Sequence, residues 1–406
     1  MSSTAPPAAR ASGDGRREAN AASVLRAVLD HGPVARSGIA RLSGLSPAAV
    51  SRQCTDLARL GLVREVPELV AASGVGRPQI PVDLRTGSSG GPLVAGVHIG
   101  VPGSVFGLTD LRGTVVARQE FGHDGIPPAE LADHVGPALA RFIADNTPDG
   151  GRLLGVGAAI GGWVDPETGT VVRHDALGWH QHPLAAELHR RTGLPVRVDN
   201  HARAVAQSEL LFGRPAARRS LLHLFVGNVV DAALAIAGVV HSGPRSGAGD
   251  VAHLPVPDST VACPCGRTGC LEATVSDTRL TRRAVERGII PEPLVGLLVD
   301  AAAVGDRRAD ALLRERAHAV GRATGLLLDV LNPDLVVITE TSSSIQPEYL
   351  DEIRSAAIAH AHVCDDPGRI VVPHAGPPVL LVAAATIVLN PLFKNPLQAA
   401  PATRRP

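Results

Sequence analysis

Val24, Leu25, Val28 and Leu29 repeat at helical spacing through "NAASVLRAVLDHG", and the pattern stops at Gly32. Intervals of three and four residues predict an amphipathic helix. In the next stretch, "VARSGIARLSGLSPAAVSRQCTDLARLGLV", Ile39, Ala40 and Leu42 mark a short helix and Gly44 a turn. Ser46 is the expected cap of a further helix that opens at Pro47, a favoured first position. On that helix Val50, Cys54, Leu57 and Leu60 share one face, leaving Ala48, Ser51, Arg52 and Thr55 outward. A short polar face with an arginine, on the second of two helices joined at a glycine, predicts a helix-turn-helix that enters the major groove of a double-stranded DNA operator. "LVREVPELVAASGVGRPQIPVDL" reads as two strands around a glycine-rich tip, a wing with Arg77 near its end. A narrow minor groove attracts such an arginine. The alternative for residues 20–84 is a small helical domain with a hairpin and no ligand.

Residues 1–19 form a polar leader, expected to be disordered, and "RTGSSGG" at 85–91 is a flexible linker by composition. From residue 92 to 396 strands and helices alternate, which predicts an α/β architecture. "PLVAGVHIG", "SVFGLTDL" and "GTVVARQEF" read as successive strands, followed by helices and the strands "LLGVGAAIGG" and "PVRVDN". "SLLHLFVG", "DAALAIAGVV" and "DLVVIT" repeat the order, so two similar lobes around a cleft are expected. Residues 397–406 are a tail.

Composition refines this picture in three places. Net charge is zero, yet residues 1–85 hold eleven arginines against seven acidic residues, a +4 bias that suits a nucleic-acid contact. No apolar run reaches ~18 residues and the first 19 lack an apolar core, so neither a membrane span nor a signal peptide is expected. The chain reads as cytoplasmic. In a reducing compartment clustered cysteines favour metal ligation over disulfides. Cys263, Cys265 and Cys270 stand close together, with glycines at 266 and 269 to let the loop curl, and His253 can reach as a fourth ligand. Such a set suits one structural Zn²⁺ per chain.

"GAGDVAHLPV" and "CPCGRTGCLEA" together resemble the ROK (repressor, open reading frame, kinase) family, and the resemblance covers most of residues 93–390. It implies an actin-like, ribonuclease H-like sugar-kinase fold of two lobes. It also implies that the metal in the 253–272 loop holds a sugar-facing wall in place. The winged helix-turn-helix resembles that of the family's repressor branch.

Against the family's kinases three nucleotide loops have changed. Where they carry D-x-G-G-T after the first strand, this chain has "HIGVP", with His98 for the acid, Val101 for a glycine and Pro102 for the threonine. Proline has no N–H to give a phosphate, and valine obstructs close approach. Their G-T-G loop is "GNVVDAA" from Gly227, and the adenosine-binding G-G is "TET" at 339–341. The catalytic aspartate of N-D-A is His201. By resemblance a sugar or sugar-phosphate effector would meet Gly161, Gly162, Asn200, His201, Asp250, His253 and Glu272. Trp163 and Trp179 are stacking platforms or packing residues.

The chain is therefore expected to be a DNA-binding transcriptional regulator, a repressor of carbohydrate uptake or catabolism, and not an enzyme. It would work as a homodimer or homotetramer on its operator. A sugar kinase, or a redox- or metal-sensing regulator, are the alternatives.

Overall fold

A computed structural model describes residues 13–69, 79–256, 259–398 and 403–404. The N-terminal unit comprises α1 (Gly13–His31), β1 (Val34–Ala35), α2 (Arg36–Ser43), α3 (Pro47–Arg59), β2 (Val63–Glu65) and β3 (Pro81–Leu84), with sheet order β1-β3-β2. Val24, Leu25, Val28 and Leu29 are all buried, as their spacing requires. The first helix begins at Gly13, inside the stretch expected to be a leader. Asp14 in its first turn favours that start, since a carboxylate complements the helix N-terminus, and Arg17 pairs with Asp56 of α3 at 2.9 Å. Gly44 closes α2 in the left-handed region, and the Ser46 hydroxyl accepts from the Ala49 N–H. Leu60 is the C-cap of α3 and is only half-buried. The wing tip, with Arg77, lies outside the described residues.

Residues 85–91 are more ordered than their composition suggests. They wind into a 3₁₀ turn at Gly87–Ser89, where the Ser89 hydroxyl accepts from the Thr86 N–H. The ends of the supposed linker are also bound to a common core. Val24, Leu25, Val28 and Leu57 pack with Leu111, Leu211, Leu389, Leu392 and Phe393 of the larger domain. Arg218 adds a two-pronged pair to Asp30, both contacts 3.1 Å, and Arg112 pairs with Asp83.

In the first lobe run β4 (Leu93–Ile99), β5 (Gly103–Thr109), β6 (Val115–Gly122), α4 (Leu131–Asn146), β7 (Arg152–Ile160), β8 (Trp163–Asp165), β9 (Thr170–His174), β10 (Trp179–His182), α5 (Leu184–Thr192) and β11 (Val196–Asn200). Its main sheet has the order β11-β7-β4-β5-β6. Helix α6 (His201–Phe212) leads to the second lobe. That lobe holds β12 (Ser220–Val226), β13 (Val230–Ile236), β14 (Val239–Val240), α7 (Leu271–Val275), α8 (Asp277–Glu286), α9 (Val295–Ala303), α10 (Arg307–Leu331), β15 (Leu335–Glu340), α11 (Thr341–Ile345), α12 (Pro347–His360) and β16 (Ile370–Val371). Its sheet runs β14-β13-β12-β15-β16. In both sheets an antiparallel three-strand meander is extended by two parallel strands, the repeat that the sequence pattern suggests.

Finally α13 (Val379–Lys394) returns to cross β4, β5 and β7. A Cβ at Gly157 would sit 1.9 Å from the Ala384 carbonyl oxygen, so only glycine lets this helix lie so close. One end of α13 thus meets the cleft and the other the core of the N-terminal unit. No helix among the described residues is long and apolar enough to cross a membrane.

Candidate functional site

The outer face of α3 bears the polar side chains that the spacing predicts. Ser46, Ala48, Arg52 and Thr55 are exposed and Ser51 half-buried, while Val50, Cys54 and Leu57 are buried. Arg16 and Arg17 of α1 and Arg59 of α3 border the same surface as Arg52. Four guanidinium groups flank a helix narrow enough for a major groove, which suits phosphate attraction around a reading face. Arg16 and Arg17 were hidden in the presumed leader; the basic pair "RR" ahead of the apolar repeat was the available signal.

In the second lobe His253, Cys263, Cys265 and Cys270 converge, their ligand atoms all within 4.8 Å of one another. Cys263 Sγ lies 3.7 Å from His253 Nδ1, and Cys265 Sγ 3.7 Å from Cys270 Sγ. A tetrahedron with sulfur roughly 2.3 Å from its centre has edges of about 3.8 Å, so the donor set fits a four-coordinate metal. Gly266 and Gly269 both adopt positive φ, and a Cβ at Gly269 would approach the Ser259 carbonyl to 2.6 Å. Arg267 donates to Cys265 Sγ and brings that thiol down to about 6, while burial pushes the Cys270 thiol up to about 11. Cys270 caps α7, and two residues on, Glu272 accepts the Val230 N–H at 2.9 Å.

Between the lobes the expected effector residues meet a carboxylate that sequence reasoning missed, Asp231 on β13. Its Oδ2 accepts from the Gly162 N–H and from the Asn200 amide, each at 3.1 Å. His201 Nε2 lies 3.1 Å from the same oxygen but off its N–H axis. Burial alone would push the Asp231 carboxyl up. The imidazole, the amide and the N–H outweigh it and hold the group below the usual carboxylate range. Burial lifts Glu272, only partly offset by the Val230 N–H, and Asp231 lifts it further; Asp250 and His253 also act on it electrostatically. Asn200 caps α6 as well, accepting from the Ala202 and Arg203 N–H groups. Gly162 has φ +77°, and a Cβ there would meet the Arg173 carbonyl at 2.5 Å, while one at Gly161 would strike Val229. Gly162 is required by backbone fit before any ligand is considered, and Gly161 by the Val229 side chain beside it.

Arg203, also unforeseen, secures the rim. Its buried guanidinium donates to Asp199, to the Val164 carbonyl and to the Ser246 carbonyl. Ser246 and Arg245 both have positive φ, which for side chains other than glycine costs roughly 1–3 kcal/mol each. Trp163 holds the same turn, donating to the Arg245 carbonyl at 2.7 Å with the Arg245 guanidinium over its ring. Trp179 is a packing residue: it is buried, stacked on His182 and bonded to the Pro128 carbonyl.

His201 separates this polar region from a second one. It is buried, stacked against His98 and tilted onto Phe225. Beyond it Val101 and Pro102, Asn228 and Val229, and the "TET" segment face one another across a cavity of about 410 Å³. Glu340 is turned to structure, capping α11 through the Ser342 and Ser343 N–H groups. Burial brings His98 down to about 3 and His174 to about 4, so both rings are neutral at ordinary pH.

The sequence pattern of the ROK family matches residues 94–376. The chain belongs to the ROK family. A protein named transcriptional regulator in Mycobacterium tuberculosis is 36% identical over 93% of this chain and 87% of its own length. A xylose repressor of Caldicellulosiruptor bescii is 28% identical over 83% of this chain and 87% of its own. Among solved structures, a ROK family transcriptional regulator homologous to the Escherichia coli MLC protein superposes with TM-score 0.74, at 20% identity, over 94% of this chain and 98% of its own. A ROK family glucokinase from Streptomyces griseus, in complex with glucose and AMPPNP, gives TM-score 0.64 at 25% identity, covering 72% of this chain and 98% of its own.

The likeness to regulators thus spans the DNA-binding end together with the ROK lobes, whereas the glucokinase leaves more than a quarter of the chain unmatched. Within this ROK domain Asp231 was legible in principle, as an acid opening the apolar run "DAALAIAGVV". A charge in a buried strand needs partners, and here they come from the other lobe.

Proposed function

We propose that this chain is a DNA-binding transcriptional regulator, a repressor of carbohydrate uptake or catabolic genes, whose ROK lobes sense a small molecule without phosphorylating it. One observation carries the reading: an exposed, arginine-bearing second helix shares its core with lobes whose three nucleotide loops have been replaced. The xylose repressor among its relatives makes a sugar the effector of choice. Gly162, Asn200, Asp231, Asp250 and Glu272 would hold its hydroxyls, with His253 and Gly161 shaping the wall. His201 would act through Asp231 and not as a base.

Zn²⁺ bound by His253, Cys263, Cys265 and Cys270 would fix the loop that ends in Glu272. It would supply rigidity and no chemistry, since four protein ligands leave no open position. A twofold operator calls for at least a homodimer, with the tetramer as the larger option, acting in the cytoplasm. Binding would be felt by the DNA through closure of the lobes, which alters how paired reading helices are held.

The test is selection of genomic fragments by the purified protein, followed by gel shifts. A few related sites should be enriched, and Arg52→Ala should reduce discrimination between site and scrambled DNA by about 1–3 kcal/mol. Arg77→Ala should weaken both more evenly and lessen the salt dependence. Uniform binding of all fragments, or an Arg52→Ala protein indistinguishable from the parent, refutes the reading.

A further inference from the structure

The cavity beyond His201 is chemically unlike a nucleotide site. Ile99, Val101, Phe225, Val229, Val379 and Leu380 are among the residues of its mainly apolar wall, and no lysine or arginine is among the described residues lining it. Two carboxylates, Asp277 and Glu340, stand at its edge and share one guanidinium. Arg316 Nη2 is 2.7 Å from Asp277, and its Nη1 is 3.2 Å from Glu340. The guanidinium is committed to these two acids, with no cation left over for a phosphate. His98 and His174, held neutral by burial, supply none either.

Two of the hydroxyls that line the cavity, those of Thr339 and Ser344, are committed. His223 Nδ1 must donate to the Ala202 carbonyl, which leaves its Nε2 to accept from the Thr339 hydroxyl. With its proton used, Thr339 offers a ligand only an acceptor. The Ser344 hydroxyl is likewise spent on the Glu340 carbonyl. A volume of about 410 Å³ lies within the range of small-molecule pockets, roughly 300–1,000 Å³, which are mostly apolar with a few fixed polar groups.

We infer that this half of the cleft binds an uncharged, mainly apolar small molecule bearing one hydroxyl or N–H donor, in the space a nucleotide would fill. The inference goes beyond the regulatory reading and does not depend on a sugar occupying the other half. An anion would be rejected by the carboxylates and by the cost of burying a charge without a partner. The occupant would also touch Val379 and Leu380 at the start of α13, whose last turns carry Leu389, Leu392 and Phe393 into the DNA-binding core.

The experiment titrates the full-length, metal-loaded chain with 4-ethylphenol, 4-ethylbenzoate and magnesium ATP, read by saturation-transfer NMR and thermal shift. The phenol should saturate at or below millimolar concentration, and the benzoate should bind roughly tenfold or more weakly, because its charge is buried unpaired. Ile345→Trp, at an exposed rim position that packs in no core, should block the phenol while leaving the fold intact. Val379→Arg should weaken the phenol and improve the benzoate. The inference is overturned if the phenol fails to bind, if benzoate or ATP binds as tightly, or if both variants bind the phenol as the parent does.

Discussion

On one side of His201 the cleft presents the Asp231 carboxylate, the Asn200 amide and the Gly162 N–H, hydrogen-bonded to one another across the lobes, with Glu272 bonded to the Val230 N–H of its own lobe. On the other side Ile99, Val101, Phe225, Val229 and Leu380 face each other across an open cavity. Both halves rest on the same kind of scaffold, strand ends of two sheets with matching topology. A polar half persists when its groups satisfy one another, because an orphaned buried donor costs about 1–3 kcal/mol. A phosphate site has no such internal partners. Once proline and valine remove its backbone donors and room, nothing opposes an apolar lining. On the proposed reading, recognition outlasts chemistry in one cleft.

The largest expected effect comes from the metal loop that supports the polar half. Cys270→Ser, or stripping by a chelator, should cost roughly 4 kcal/mol or more in urea unfolding, since a buried structural ligand is lost. An unchanged unfolding midpoint would mean that the polar wall stands by itself. Next, Asp231→Ala removes the acceptor for Gly162 and Asn200 and should destabilise by about 2–4 kcal/mol, with loss of any sugar response. Val229→Ala, across the boundary, should leave the sugar response in place.

Acid should find the apolar half first. His98, His174 and His223 have folded values of about 3, about 4 and about 3, below the ordinary imidazole value, with burial the leading cause in each. The unfolded chain therefore binds more protons between those values and about 6.5. The stability from neutral burial is present above pH ~6.5 and falls as pH drops toward 4, by up to about 1.4 kcal/mol per pH unit per group. His98→Phe should flatten the slope measured between pH 7 and pH 5; an equal slope in parent and variant would remove His98 from the account.

The smallest effect separates the two tryptophans. Trp163→Phe and Trp179→Phe each lose one hydrogen bond to a carbonyl and should cost about 1 kcal/mol. Only Trp163→Phe should alter the response to a sugar, because it alone holds the turn that leads to Asp250.

Much of this was open to reading along the chain. The buried face of α1, the Ser46 cap, the Gly44 turn and the two-lobe order follow from local periodicity and turn chemistry. The cysteine spacing points to the His/Cys cluster, which could hold a metal, because its four side chains lie within residues 253–270. What escaped depends on contacts distant in sequence. Asp231 finds Gly162 and Asn200 across the cleft, Arg203 reaches Ser246, and Arg316 binds Asp277 and Glu340. The helix starting at Gly13 and the ordered 85–91 segment were misjudged for the same reason: polar composition there hides a docked partner, Asp56 for Arg17 and a shared core for the linker's ends.

On the proposed reading one half of this cleft recognises a sugar and the other no longer handles a nucleotide. Calorimetric titration of the metal-loaded chain with magnesium ATP, in the presence of a sugar that changes operator affinity, tests it most directly. No saturable heat is expected at millimolar ATP, and no sugar phosphate should form. Saturable ATP binding accompanied by phosphate transfer to the sugar would contradict it.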